Sequence, residues 1–228
     1  MEVKLNLTLY PIVDIEFIEK NEIPNQDIEI LLQQVDFFQL RIKNKKEKEI
    51  LKLVQEYKNK YNKKIILNDY YEYKELVDGV HLGFEDLLKL KKKERITLKK
   101  NLAKNLPEWI QSKEKFILGF STHNLKQFSK LHEEYREVLG YLAIGPMFST
   151  TTKDLEYPLI PKEELDSILH YCVENRIQAS LVFIGGICNS CLKDLYTSFN
   201  VFRYFENKKI YYASISNFLT KRIVLNYP

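Results

Sequence analysis

Cysteine is scarce in this chain: the three present, Cys172, Cys188 and Cys191, are an odd number among 228 residues. A disulfide framework is therefore not expected, and a reducing compartment, the cytoplasm, is. The opening stretch MEVKLNLTLYPIVDIEF has no basic start, unbroken apolar run or small-residue cleavage site, so it does not read as a secretory leader. No segment is long and apolar enough to span a bilayer, and no membrane partner is expected. A strong charge of one sign is also missing. The net charge is +4 with a pI near 8.7, and basic residues mix with acids, as Glu47 does among the lysines from Lys43 to Lys48. The densest basic run, Lys89 to Lys100, reads as a solvated helix face and not as a nucleic-acid footprint. Gly/Ser- or Pro-rich linkers and short-motif repeats are absent, so residues 1–228 read as one domain.

What the chain does have is the balance of a folded globular protein, with 45% hydrophobic and 29% charged residues. Short β-branched or aromatic runs recur at Leu7–Val13, Phe37–Ile42, Lys64–Leu67, Gly79–Leu82, Phe116–Phe120, Tyr141–Ile144, Leu181–Ile184 and Ile210–Ala213. Helical spacing separates most of them: Ile28, Leu31, Leu32 and Val35 precede the second run, and Ile50, Leu53, Val54 and Tyr57 follow it. Strands alternating with helices in this way predict an α/β fold, a closed parallel (β/α)8 barrel. The stretch between the fourth and fifth runs is longer than one helix needs and predicts an extra helix or a lysine-rich excursion. Only seven glycines occur, all flanking or inside the fourth to seventh strands, where phosphate-binding turns would use them, although tight turns explain some equally well.

Period-two alternation in the second strand places Phe38, Leu40 and Ile42 on one face and Gln39, Arg41 and Lys43 on the other. In a barrel the apolar face meets the helices, and Gln39 and Arg41 point inward, where a polar or charged group needs a partner or a ligand. The plainer alternative is an antiparallel strand with one wet face. The third strand ends in Asn68-Asp69 and the fourth runs into His81-Leu82-Gly83-Phe84-Glu85-Asp86. Asp69 and Asp86 could converge from adjacent strand tips as hard oxygen ligands for Mg2+; alone, an Asp after a strand is more often a helix N-cap. Hydroxyls, backbone N–H groups and a lysine follow the fifth and sixth strands, in Gly119-Phe120-Ser121-Thr122-His123-Asn124 and in Gly145 to Lys153, and suit an anionic phosphate. A Thr-rich capped turn would account for them structurally. Paired glycines end the seventh strand in Ile184-Gly185-Gly186-Ile187.

Taken in order, the strand-end motifs QLRIK, ND, HLGFED, GFSTHN, GPMFSTTTK and FIGGI resemble those of thiamine phosphate synthase and its TenI-type tautomerase relatives, from Leu9 to about Ile187. The resemblance implies a (β/α)8 barrel with its site on the C-terminal rim. It also implies an enzyme that couples a hydroxymethylpyrimidine pyrophosphate to a thiazole phosphate, with Mg2+, releasing pyrophosphate. Carried over by matching residue, it implies that Gln39 contacts the pyrimidine with Asn68 beside it, and that Arg41, Lys43, Ser121 and Lys153 hold the pyrophosphate. Asp69 and Asp86 would bind Mg2+, Thr150 and Thr152 would approach the thiazole, and the Gly186 backbone and Ser214 would lie near its phosphate.

The partners implied are small molecules, with no nucleic acid and no membrane, and a homo-oligomer is compatible with the reading. A TenI-type tautomerase, which needs neither pyrophosphate nor metal, and a ligand-binding paralogue without turnover are the alternatives. Two departures from the family pattern stand out. Phe84 replaces a usual glutamine, and TSFNVFRYFENKKIYYAS replaces a small-residue turn before the eighth strand. Cys188-Asn189-Ser190-Cys191 has redox or metal spacing but no second ligand pair and no thioredoxin-like context. His123 reads either as an acid–base group or as a hydrogen-bonded structural histidine, and His81, His132, His170 and Trp109 carry no functional signal of their own.

Overall fold

A computed structural model describes residues 7–102, 116–149, 157–188, 191 and 210–215. Its strands are β1 (Leu7–Asp14), β2 (Phe37–Arg41), β3 (Lys64–Asn68), β4 (Gly79–Gly83), β5 (Ile117–Thr122), β6 (Tyr141–Ile144), β7 (Ser180–Ile184) and β8 (Ile210–Ser214). They close into a barrel in sequence order, each hydrogen-bonded to its neighbours, with β8 returning to β1. Every pairing is parallel, which removes the antiparallel alternative for β2.

The helices are α1 (Ile15–Lys20), α2 (Asn25–Gln33), α3 (Glu47–Lys60), α4 (Phe84–Lys89), α5 (Lys92–Leu102), α6 (Leu125–Tyr135) and α7 (Lys162–Glu174), with a short 3-10 helix at Tyr71–Leu76. Two helices, α4 and α5, occupy the long stretch between β4 and β5, as its length suggested. The apolar stripes turn inward as read, with Ile28, Leu31 and Leu32 on α2 and Ile50, Val54 and Tyr57 on α3 buried, and α6 likewise buries Phe128, Leu131 and Tyr135. None of the described helices is long and apolar enough to cross a membrane.

Strand alternation divides the core into two shells. Outward-facing residues such as Phe38, Leu40, Ile42, Leu67, Leu82, Phe120, Leu142 and Tyr212 pack under the helices. Inward-facing Tyr10, Ile12, Phe37, Ile66, Ile117, Tyr141, Val182 and Tyr211 fill the barrel. Bulky side chains therefore plug its interior, so chemistry is confined to the rim where the strands end. Tyr211 and Tyr212, bulky residues of the divergent eighth strand, take one place in each shell.

Candidate active site

β1 supplies a residue that the sequence reading passed over. Asp14 ends the strand, is 3% exposed, and caps α1 by accepting from the Phe17 N–H at 3.0 Å. Its other oxygen pairs with the Arg41 guanidinium across the β1–β2 register, where Asp14 lies opposite Arg41. The inward charge foreseen at Arg41 is thus met by a carboxylate on the neighbouring strand tip, as burial requires. One residue beyond Ile42, the Lys43 ammonium pairs with Asp69. Asp69 has a positive φ of 70°, a left-handed conformation that is uncommon for a non-glycine residue, and its N–H donates to the His81 carbonyl at 2.8 Å.

Neither aspartate singled out as a metal ligand is a helix N-cap. Tyr70 precedes the 3-10 helix, and Asp86 sits in the first turn of α4 behind Gly83. The Asp86 carboxylate lies over Gly83, at the tip of β4, and accepts from Lys89 at 2.8 Å. The pKa of Lys89 is raised first by that bond to Asp86, with Asp69 among the further contributors, so one ammonium lies in the field of both carboxylates. No cluster of three or more His, Cys, Asp or Glu able to hold a metal occurs among the described residues. A pair of carboxylates already shared with ammonium groups fits Mg2+, which uses one or two carboxylates and completes its shell with water and substrate phosphate oxygens.

Gln39 is 2% exposed inside the barrel mouth, and its amide nitrogen donates to the Tyr10 hydroxyl at 3.3 Å. From Tyr10 a chain of bonds crosses the barrel: Tyr10 to the Tyr141 hydroxyl at 2.8 Å, Tyr141 to His81 Nδ1 at 2.8 Å, and His81 Nε2 to Ser121 Oγ at 2.7 Å. The amide nitrogen of Gln39 can only donate, and the hydroxyl hydrogen of Tyr10, which is 1% exposed, needs an acceptor that Tyr141 provides, so one polarity runs along the chain. Tyr10 donates to Tyr141, Tyr141 donates to His81 Nδ1, and the His81 Nε2–H donates to Ser121. The Ser121 hydroxyl hydrogen then remains to be given to another acceptor. Burial pushes the His81 pKa down to about 3, only partly opposed by the Asp86 charge, and pushes the Tyr10 and Tyr141 pKa values up. The whole chain is uncharged at neutral pH.

In the sequence His81 carries no functional signal of its own and neither Tyr10 nor Tyr141 stands out, yet these three join Gln39 to Ser121. The available signal was parity: His81 lies between apolar Val80 and Leu82, which face the helices, so alternation turns it inward. The Tyr141 ring stacks on His81, with centroids 5.6 Å apart and planes 14° from parallel. It occupies the space that a Cβ on Gly119 would fill, so glycine is required there. Asn68, the last residue of β3 and 8% exposed, lies opposite His81 in the register.

At the far side, Gly186 has a φ of +64°, and a Cβ there would strike the carbonyls of Phe148 and Ser149. The loop after β6 is held to the β7 tip by Met147 N–H to Ile184 O and Phe148 N–H to Gly185 O, both 3.0 Å. The Ser214 hydroxyl, at the end of β8, donates to the Ile187 carbonyl at 2.7 Å. Ser214 thus adjoins the paired glycines, but its proton is committed to the backbone. Thr150, Thr152, Lys153 and Trp109 lie outside the described residues, as do Phe202, Tyr204 and Phe205. His123 donates from Nδ1 to the Gly145 carbonyl at 2.6 Å and stacks on Tyr157 with centroids 3.7 Å apart, in keeping with the structural alternative.

Gln39, Arg41, Lys43, Asn68, Asp69, Asp86, Ser121, Gly186 and Ser214 therefore all stand at or just beyond C-terminal strand ends, on one rim. The family model described as thiamine monophosphate synthase matches residues 9–103 and 105–198. A thiamine-phosphate synthase of Proteus mirabilis is 34% identical over 195 residues, covering 83% of this chain and 76% of the relative. One of Dictyoglomus turgidum is 32% identical over 173 residues, 73% of this chain and 66% of the relative. One of Clostridium botulinum is 28% identical over 197 residues, 84% of each. The chain belongs to the thiamine monophosphate synthase family.

Proposed function

We propose that this chain is a thiamine phosphate synthase, an Mg2+-dependent transferase that joins hydroxymethylpyrimidine pyrophosphate to thiazole phosphate and releases pyrophosphate, acting as one barrel domain in the cytoplasm. The observation that carries the reading is the belt of alternating charge on the rim, Asp14–Arg41, Lys43–Asp69 and Asp86–Lys89. Such a belt can exchange its internal partners for a polyanion and a cation without leaving an unpaired charge.

Loss of pyrophosphate leaves a carbocation stabilised by the aminopyrimidine ring, which the thiazole nitrogen captures. Bond formation needs no general base, so catalysis consists of charge neutralisation and alignment. Arg41, Lys43 and Lys153 hold the departing pyrophosphate, and Ser121 donates its remaining hydrogen to it. Gln39, fixed by Tyr10, and Asn68 orient the pyrimidine. Asp69 and Asp86 hold Mg2+, which supplies Lewis-acid stabilisation of the leaving group when bound. Thr150, Thr152 and the Gly186 backbone receive the thiazole phosphate, with Ser214 bracing that turn.

The test is thiamine phosphate formation from the two substrates with and without Mg2+. Metal-dependent product is expected, with Asp69→Asn, Asp86→Asn and Lys153→Ala each folded but slower. Wild-type rates in all three variants would reject the assignment. Turnover of a thiazole substrate without pyrophosphate or metal would point to the tautomerase instead.

A further inference from the structure

Two thiols follow the tip of β7, in the turn that begins with the paired glycines. Cys188 Sγ and Cys191 Sγ lie 2.6 Å apart, so the two free thiols face each other and need little movement to bond. The turn that presents them is closed by the Cys191 N–H donating to the Cys188 carbonyl at 2.9 Å. Both are half-buried and within reach of a small reagent, whereas Cys172 is 1% exposed inside α7. Metal binding is the other use of this spacing, but a closed site needs further ligands, and no metal-competent cluster exists among the described residues. Proximity, partial exposure and C-x-x-C spacing together are the requirements for exchange with an external disulfide.

The same turn touches the site. Cys191 Sγ is 3.5 Å from the Gly186 carbonyl, within donating distance for the S–H, and the neighbouring Ile187 carbonyl receives the Ser214 hydroxyl. An S–H is lost when a thiol enters a disulfide, so oxidation removes a contact to the glycine whose backbone faces the proposed thiazole phosphate.

We propose that Cys188 and Cys191 form a redox-active dithiol, a modification site that takes a low-molecular-weight disulfide as oxidant and couples its state to the Gly186 turn. One thiolate attacks the reagent disulfide, forming a mixed disulfide and releasing one reagent thiolate. The second cysteine attacks that mixed disulfide and releases the other. Two protein thiols become one disulfide, two electrons pass to the reagent, and the two protons end on its thiols. The coupling to Gly186, though not the dithiol itself, rests on the function proposed above.

The experiment equilibrates the full chain in glutathione buffers of graded ratio, quenches it with acid, and labels it with iodoacetamide under denaturing conditions. Oxidised protein should lose two hydrogens in mass and be labelled only at Cys172, and dithiothreitol should restore labelling at all three cysteines. Cys188→Ser and Cys191→Ser should each stop at a stable glutathione adduct. Full labelling at every ratio, or stable adducts on the wild type, would overturn the dithiol. Calorimetric titration with thiazole phosphate should show severalfold weaker binding to the oxidised form, and equal binding in both forms would overturn the coupling. Absence of thiazole phosphate binding in either form would overturn the coupling and the assigned function together, and the mass result would still decide the dithiol.

Discussion

At the scale of single residues, the barrel mouth is organised by what each buried polar group demands of the next. Tyr141 accepts from Tyr10 and donates to His81, so it is the joint of the chain from Gln39 to Ser121. Tyr141→Phe keeps the ring but leaves Tyr10 and His81 each short of a partner in a buried place. We expect a stability loss of about 1–3 kcal/mol in urea denaturation, together with slower turnover as Gln39 and Ser121 lose their anchoring. An unchanged midpoint and rate would mean that water replaces the hydroxyl. His81 makes a second prediction. Its pKa falls from 6.5 to about 3 on folding, so between these values the unfolded chain holds a proton that the folded chain does not. Stability is then complete above pH 6.5 and declines as the pH falls toward 3, by up to ~1.4 kcal/mol per pH unit. Denaturant midpoints taken across this window should slope less in His81→Gln than in the wild type. Parallel slopes would show that other groups carry the acid sensitivity.

At the scale of elements, close approach between strands decides what each can carry. β5 can lie beside the Tyr141 ring only because Gly119 has no side chain. Gly119→Ala should cost about 1–3 kcal/mol through overpacking and should displace the ring that holds His81, lowering activity along with the melting temperature. Retention of both would show that Tyr141 has another low-energy position. β1 illustrates the economy of strand ends: one carboxylate, Asp14, both caps α1 and neutralises Arg41. A strand-to-helix turn needs an N-cap and a barrel rim needs a counter-charge, and a single residue at the junction meets both requirements.

At the scale of the whole molecule, the two ends of the rim are built differently. Arg41, Lys43, Asp69 and Asp86 are paired side chains at or just beyond the ends of β2 and β3 and in the first turn of α4, ready to exchange partners. The opposite end depends on backbone at Gly186 and on Ser214, whose hydroxyl is already bonded to Ile187. Pyrimidine pyrophosphate should therefore bind in calorimetric titration with a clear dependence on Mg2+, and thiazole phosphate, titrated separately, should bind more weakly. Tight binding of thiazole phosphate would mean that another group completes its cradle.

Strand positions, the parallel order and most of the rim were legible in the sequence because they depend on local pattern. Period-two alternation separated Phe38, Leu40 and Ile42 from Gln39 and Arg41, and the order of the strand-end motifs placed Asn68, Asp69, Asp86 and Ser121 at strand tips. Partnership was not local. Alternation says that Tyr10, His81 and Tyr141 face inward, but many residues do, and which of them meet depends on the stagger of strands around a closed barrel. Residues 131 apart, such as Tyr10 and Tyr141, come within a hydrogen bond only after closure. The same holds for Asp14, an ordinary cap by its position, which becomes the counter-charge of Arg41 once β1 and β2 lie in register. The sequence by itself determined which groups stand on the rim; tertiary structure decided which of them share a proton or a charge, because those interactions act over a few ångströms and only the closed barrel sets such distances.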